Sequence, residues 1–261
     1  MTIFRLELRR GRNTFWIWTA AIAGFMMLCL FLFPEMEKEM TSISDAFASM
    51  GTFTAAFGMD KLNFGELMGF YGIECGNILG IGGAFFAALL GIAVLAKEEG
   101  EHTADFLLTH PVSRMRVSGE KLAAVMAQLI AMNVILFFCV VGSIYAIGET
   151  PSWRELALLH TAYLLLQVEI AALCFGISAF LKRGGMGLGL GIAAALYFLN
   201  LVANITDSAA FLKNITPFGY AEAADILTQS TLDCSRLAIG GAITVTALAV
   251  GLLHYRRKDI V

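Results

Sequence analysis

The sequence predicts an all-α integral membrane protein with six transmembrane helices and both termini in the cytosol. Three observations carry that prediction. Hydrophobic residues make up 58% of the chain and charged residues 15%, with a mean hydropathy of +0.74, which excludes a water-soluble domain of ordinary composition. Six runs reach the roughly 20 apolar residues needed to cross a hydrocarbon core, and backbone groups in lipid must be satisfied within each segment, which selects helices. Lys and Arg concentrate in alternate connections, which sets the orientation.

The whole chain reads as one membrane domain over residues 1–261. The first run, 14–33, follows the basic amphipathic start FRLELRR, expected to form an N-terminal helix. It is too long for a signal-peptide core and lacks a small-residue cleavage site before Pro34, so it is read as an anchor. In the outer segment 34–72, Met36, Met40, Ile43, Phe47 and Met50 recur at intervals of four and three, an amphipathic stripe expected to lie against the outer ends of the spans. The second run is 73–95, the connecting loop 96–121, and the third run 122–147. Runs four, five and six are 156–181, 186–203 and 237–254. The outer segment 204–236 holds Pro217, Phe218 and the stretch Tyr220 to Leu227, suited to short helices. All four prolines (Pro34, Pro111, Pro151, Pro217) fall outside the runs, as expected if each is an uninterrupted helix.

One set of connections holds Arg5, Arg9, Arg10, Arg12, Lys97, Arg114, Arg116, Lys121, Lys182, Arg183, Arg256, Arg257 and Lys258, which is 13 of the 18 basic residues. The other holds Lys38, Lys61, Arg154, Lys213 and Arg236, so the termini and the loop 96–121 are expected on the cytosolic side.

Cys29, Cys139 and Cys174 sit inside runs as small hydrophobes, while Cys75 and Cys234 lie near the outer face and could form one disulfide there. No Cys or His spacing matches a metal site, and His102 and His110 are read as solvated or capping residues. Asn204 and Asn214 each begin a glycosylation sequon, but nothing else points to a eukaryotic secretory route. Spacings of four such as Gly76 with Gly80, Gly185 with Gly189 and Gly187 with Gly191 would let helix backbones approach closely. Glu169 is the one acid deep inside a run, with Gln167 beside it and Asn133 and Asn200 in neighbouring runs. A charge at mid-bilayer costs about 2.5–3.5 kcal/mol on insertion scales, so this side chain should face protein or water. These four polar residues are candidates for a substrate cavity or, equally, for interhelical hydrogen bonds.

The loop 96–121 is charged at its ends and apolar on one face. Thr103 can cap a short helix, and Ala104, Leu107, Leu108 and Pro111 fall at i, i+3, i+4 and i+7. Such a face rests on lipid headgroups or fills a groove on a partner protein.

At this loop the chain resembles the permease subunits of ATP-binding-cassette (ABC) exporters of the second type. Their pattern is an acidic Gly-Thr start, Leu-Leu, a spacer, Pro-Val/Ile-Ser-Arg and a Lys entering the third span. Glu98, Glu99, Gly100, Thr103, Leu107, Leu108, Pro111, Val112, Ser113, Arg114 and Lys121 match it, and Glu101-His102 depart from it. The starts FRLELRR, ITPFGYAEAADIL and the terminal YRRKDI agree, so the resemblance covers essentially the whole chain. It implies that Thr103, Ala104, Asp105, Leu107, Leu108, Pro111, Val112, Ser113 and Arg114 form a coupling helix docked on a separate ABC ATPase, with Leu107 and Leu108 in the groove and Asp105 and Arg114 on its rim.

The resemblance also implies export, with two ATPase copies and a second permease copy or paralogue, in a bacterial cytoplasmic membrane. An amphiphilic or hydrophobic substrate is expected, and no nucleic acid. The chain contains no G-x-x-x-x-G-K-[ST] phosphate loop, so no cofactor is expected on it and ATP-Mg belongs to the partner. Three other classes remain: an intramembrane enzyme, for which neither H-E-x-x-H nor G-x-S-x-G is present; a nucleotide-independent secondary transporter; and a non-transporting sensor or immunity protein.

Overall fold

In the computed structural model, residues 2–39, 51–59, 61–100 and 113–258 are described. Helix α1 (Thr2–Lys38) is continuous from the basic start through the first apolar run. The expected separate N-terminal helix is therefore the first turns of span one. It also runs through Pro34, which lies one turn from its end and so interrupts the backbone ladder only where that ladder is about to stop. At 1.5 Å per residue α1 is about 55 Å long, well over the ~30 Å of hydrocarbon.

After the short α2 (Thr52–Ala56), α3 spans Leu67–Ala93 and contains a π-helical turn at Tyr71–Cys75. A one-turn α4 (Lys97–Gly100) follows, then α5 (Arg114–Ala146), α6 (Trp153–Ser178) and α7 (Met186–Ile205). Two 3-10 segments, Asp207–Asn214 and Pro217–Gly219, lead to α8 (Ala223–Gln229) and α9 (Cys234–Arg257). Six of these helices are long and apolar enough to cross a membrane, and the described residues contain no strand. Each capped start has a local cause. The Ser113 hydroxyl accepts from Arg116 N at the head of α5, and Asp233 Oδ1 accepts from Ser235 N and Arg236 N at the head of α9.

The core lies between α3 and α6, the most extensive helix pair, with α1 on α5, α7 on α3 and α9 on α6. Phe86, Leu129, Leu159, Leu166, Ile170 and Phe175 are wholly buried there. A smaller cluster of Phe33, Phe64, Phe70 and Ile73 closes the far end of α1, and Met36 packs on it. The rest of the predicted methionine stripe, Met40, Ile43, Phe47 and Met50, lies outside the described residues. All five cysteines are free thiols, Cys75 buried and Cys234 exposed, so the outer disulfide does not form.

Helices α6 and α9 cross with backbone against backbone. A Cβ on Gly176 would stand 2.6 Å from the Ala247 carbonyl oxygen, and one on Gly251 would stand 2.7 Å from Gly176 Cα. Gly176→Val should therefore push α9 off the bundle and cost about 1–3 kcal/mol, read as a lower thermal midpoint of the purified protein. Gly187→Ala, where a Cβ meets open space, should leave that midpoint unchanged or raise it slightly.

Candidate functional site

Two regions gather polar side chains, one at the end of the bundle carrying the termini and one at the opposite end. At the first, Gly100 and Ser113 are the described residues that flank the expected coupling helix. Thr103, Ala104, Asp105, Leu107, Leu108, Pro111 and Val112 lie outside the described residues; Ser113 caps α5 and Arg114 opens it.

The two stems of this loop are braced. On the incoming side, Lys258 Nζ donates to Glu99 Oε2 at 2.6 Å and to the Leu181 carbonyl at 2.7 Å. On the outgoing side, the Arg114 guanidinium donates to the carbonyl of the same Lys258. One residue thus bridges both stems and the connection between α6 and α7. Lys121, fully buried, adds a second tie. Its Nζ donates to the Val94 carbonyl at 2.5 Å, covering an orphan acceptor at the end of α3, and pairs with Glu7 of α1 at 3.7 Å. Glu120 Oε2 in turn accepts from the backbone N–H of Ile3 and Phe4, satisfying the exposed start of α1. The motif residues Glu99, Arg114 and Lys121 were visible in the sequence, but their partners Lys258, Leu181, Val94 and Glu7 come from other segments and carry no local signal.

The four intramembrane candidates do not converge on one cavity. Asn133 Nδ2 donates to Gln167 Oε1 at 2.6 Å, and Gly83 makes room for that amide, since a Cβ there would overlap Gln167 Nε2. Glu169, buried in α6, accepts from Tyr220 Oη at 2.9 Å, and Gly240 of α9 supplies the space beside its carboxylate. Burial, with the neighbouring Glu169 second, pushes the Tyr220 hydroxyl well above the usual tyrosine value, so it remains a donor. Asn200 alone of the four reaches a pocket, at the opposite end, where its Nδ2 donates to Glu222 Oε2 at 3.0 Å.

That pocket is walled by α3, α6, α7 and the stretch before α8, and includes Asn77, Tyr163, Tyr197, Asn200, Asn204 and Glu222. Asn204, the head of a sequon, faces inward: its Nδ2 donates to Glu222 and to the Ala56 carbonyl. Tyr197 Oη donates to Asn77 Oδ1 at 3.3 Å. Glu222 escaped the sequence reading because it falls between apolar runs; the one available signal was the i, i+4 pairing of Asn200 and Asn204 on α7. No three His, Cys, Asp or Glu side chains gather to hold a metal among the described residues.

The geometry is that of a helical membrane domain whose loop stems are braced at one end. No curated protein matches the chain. A family model described as ABC-2 family transporter protein matches residues 1–260, so this chain belongs to the ABC-2 transporter family and is a permease of an ABC transporter.

Proposed function

We propose that this permease is the export subunit of an ATP-driven transporter in a bacterial cytoplasmic membrane, with its termini in the cytosol and residues 103–114 of its loop 96–121 seated on a separate ABC ATPase. Two ATPase copies and a second permease, identical or paralogous, complete the assembly. The observation that carries the reading is the bracing of both loop stems through Lys258. A segment that transmits force from a partner needs rigid attachment to the helices it moves, and here α4 at the end of the incoming stem, α5, α9 and the α6–α7 connection meet at one residue. The basic residues around it, on the side richer in Lys and Arg, support the cytosolic placement.

In this mechanism ATP closes the two ATPase subunits, the loops approach one another, and α3 and α5 carry the displacement into the core. ATP biases the access state only through its differential affinity for the closed form. The apolar core and lipid-facing surfaces suit an amphiphilic or hydrophobic cargo taken from the bilayer.

Affinity purification from native membranes tests the reading. A phosphate-loop ATPase should be recovered with the permease, and vesicles containing both should move cargo only with ATP. Transport by the permease alone would overturn it.

A further inference from the structure

We propose that the pocket at the end opposite the termini binds a compact cation, the primary ammonium of a small amine or of a lipid headgroup, with Glu222 as its counter-charge. The inference is independent of ATPase docking and is read on the permease alone.

Glu222 is half-buried and its carboxylate accepts from the amides of Asn200 and Asn204 at 3.0–3.2 Å. Both donors are neutral, and among the described residues no Lys or Arg forms an ion pair with it. A carboxylate held in such a place without a cation is costly, and hydrogen bonds from neutral amides offset only part of that cost. The amides also leave their own oxygens over. Asn200, 6% exposed in the pocket wall, has an Oδ1 bonded to nothing, and so has Asn204. Tyr197 spends its proton on Asn77.

The pocket therefore offers acceptors and negative charge, and lacks a free cationic donor. Its complement is a positive group with several N–H donors. The space, about 40 Å³, exceeds the ~10–15 Å³ that one water needs on this measure and fits an ammonium or a –CH2NH3+ head. Tyr163 and Tyr197 in the wall add aromatic surface that favours a cation. A trimethylammonium head is larger and has no N–H to give.

Carbodiimide labelling of Glu222 in the wild-type permease, reconstituted in phosphatidylcholine nanodiscs and read by peptide mass spectrometry, tests the proposal. Because a primary amine also traps the activated carboxyl, acylurea and N-methylamide are counted together: methylammonium chloride should lower the total fraction of Glu222 that has reacted at least threefold relative to choline chloride at the same concentration. Nanodiscs containing phosphatidylethanolamine separate the sources: protection without added amine assigns the site to the lipid headgroup, and protection by methylammonium alone assigns it to a soluble amine. A reacted fraction of Glu222 equal in methylammonium and choline overturns the proposal. As a second measurement, methylammonium should raise the thermal midpoint of wild type over choline and leave Glu222→Gln unmoved; an equal rise in both also overturns it.

Discussion

Replacing Leu107 by aspartate should abolish recovery of the ATPase with the permease while leaving the amount of protein in the membrane unchanged. In the sequence Leu107 falls at helical spacing with Ala104, Leu108 and Pro111, and the described residues flanking this segment are braced by Lys258 and Lys121. In the docking proposed above, the substitution would remove a groove-filling side chain and put a carboxylate against an apolar surface. Central interface residues of this kind carry 2–4 kcal/mol or more, about 30-fold to 1000-fold in Kd, enough to lose a complex during purification. Insertion depends on the six apolar helices, which the change does not touch. Full recovery of the ATPase with Leu107→Asp would remove the docking assignment and leave the family membership standing.

Lys121→Met should be the most destabilising single change at the braced end. The lysine is completely buried, its ammonium bonded to the Val94 carbonyl and paired with Glu7, which is itself only 11% exposed. Methionine fills the space but strands the acid and the carbonyl together. Breaking one partner of a buried pair costs about 3–5 kcal/mol, which for a chain of this size is a midpoint lower by roughly 6–20 °C. Adding Glu7→Gln should restore part of the loss, because the orphan charge goes with it. A shift below ~2 °C in the single variant would show that the ammonium contributes little there. Since Lys121 ties α3 to α5, the variant should also uncouple ATP hydrolysis from transport in the reconstituted assembly.

The six membrane-length helices were legible because hydropathy over 20 residues integrates a large signal. The ends of the helices were less so. Pro34 reads as a stop, yet α1 passes it, because a missing N–H one turn from the helix end removes little. Glycine spacing picked out packed faces for two of its three pairs and an open one for the third. Gly76 stands against Tyr163 and Gly189 against Ile92, whereas a Cβ on Gly187, Gly191 or Gly241 would meet nothing. Periodicity reports which residues share a side of a helix, and only tertiary placement decides what lies across from it.

The polar residues divide in the same way. Glu169, Gln167 and Asn133 stood out because lipid makes any such side chain conspicuous. Glu222 did not, since an acid between spans is ordinary in sequence and becomes unusual only when the segment before α8 folds back onto α7. Lys258 likewise is one basic residue among several until the fold sets it between Glu99 and Arg114.

The bridge from Lys258 to Glu99 joins residues 159 positions apart in the chain. At 5–20 residues per second, a ribosome that has released Glu99 needs about 8–30 s more to deliver the lysine. Until then the tie from Lys121 to Val94 and Glu7 is the one of the two described braces that can form, and a product truncated before α9 never acquires the other. Maturation is thereby given a sequence: translation and insertion of α9 come first, and full bracing of the two loop stems comes after.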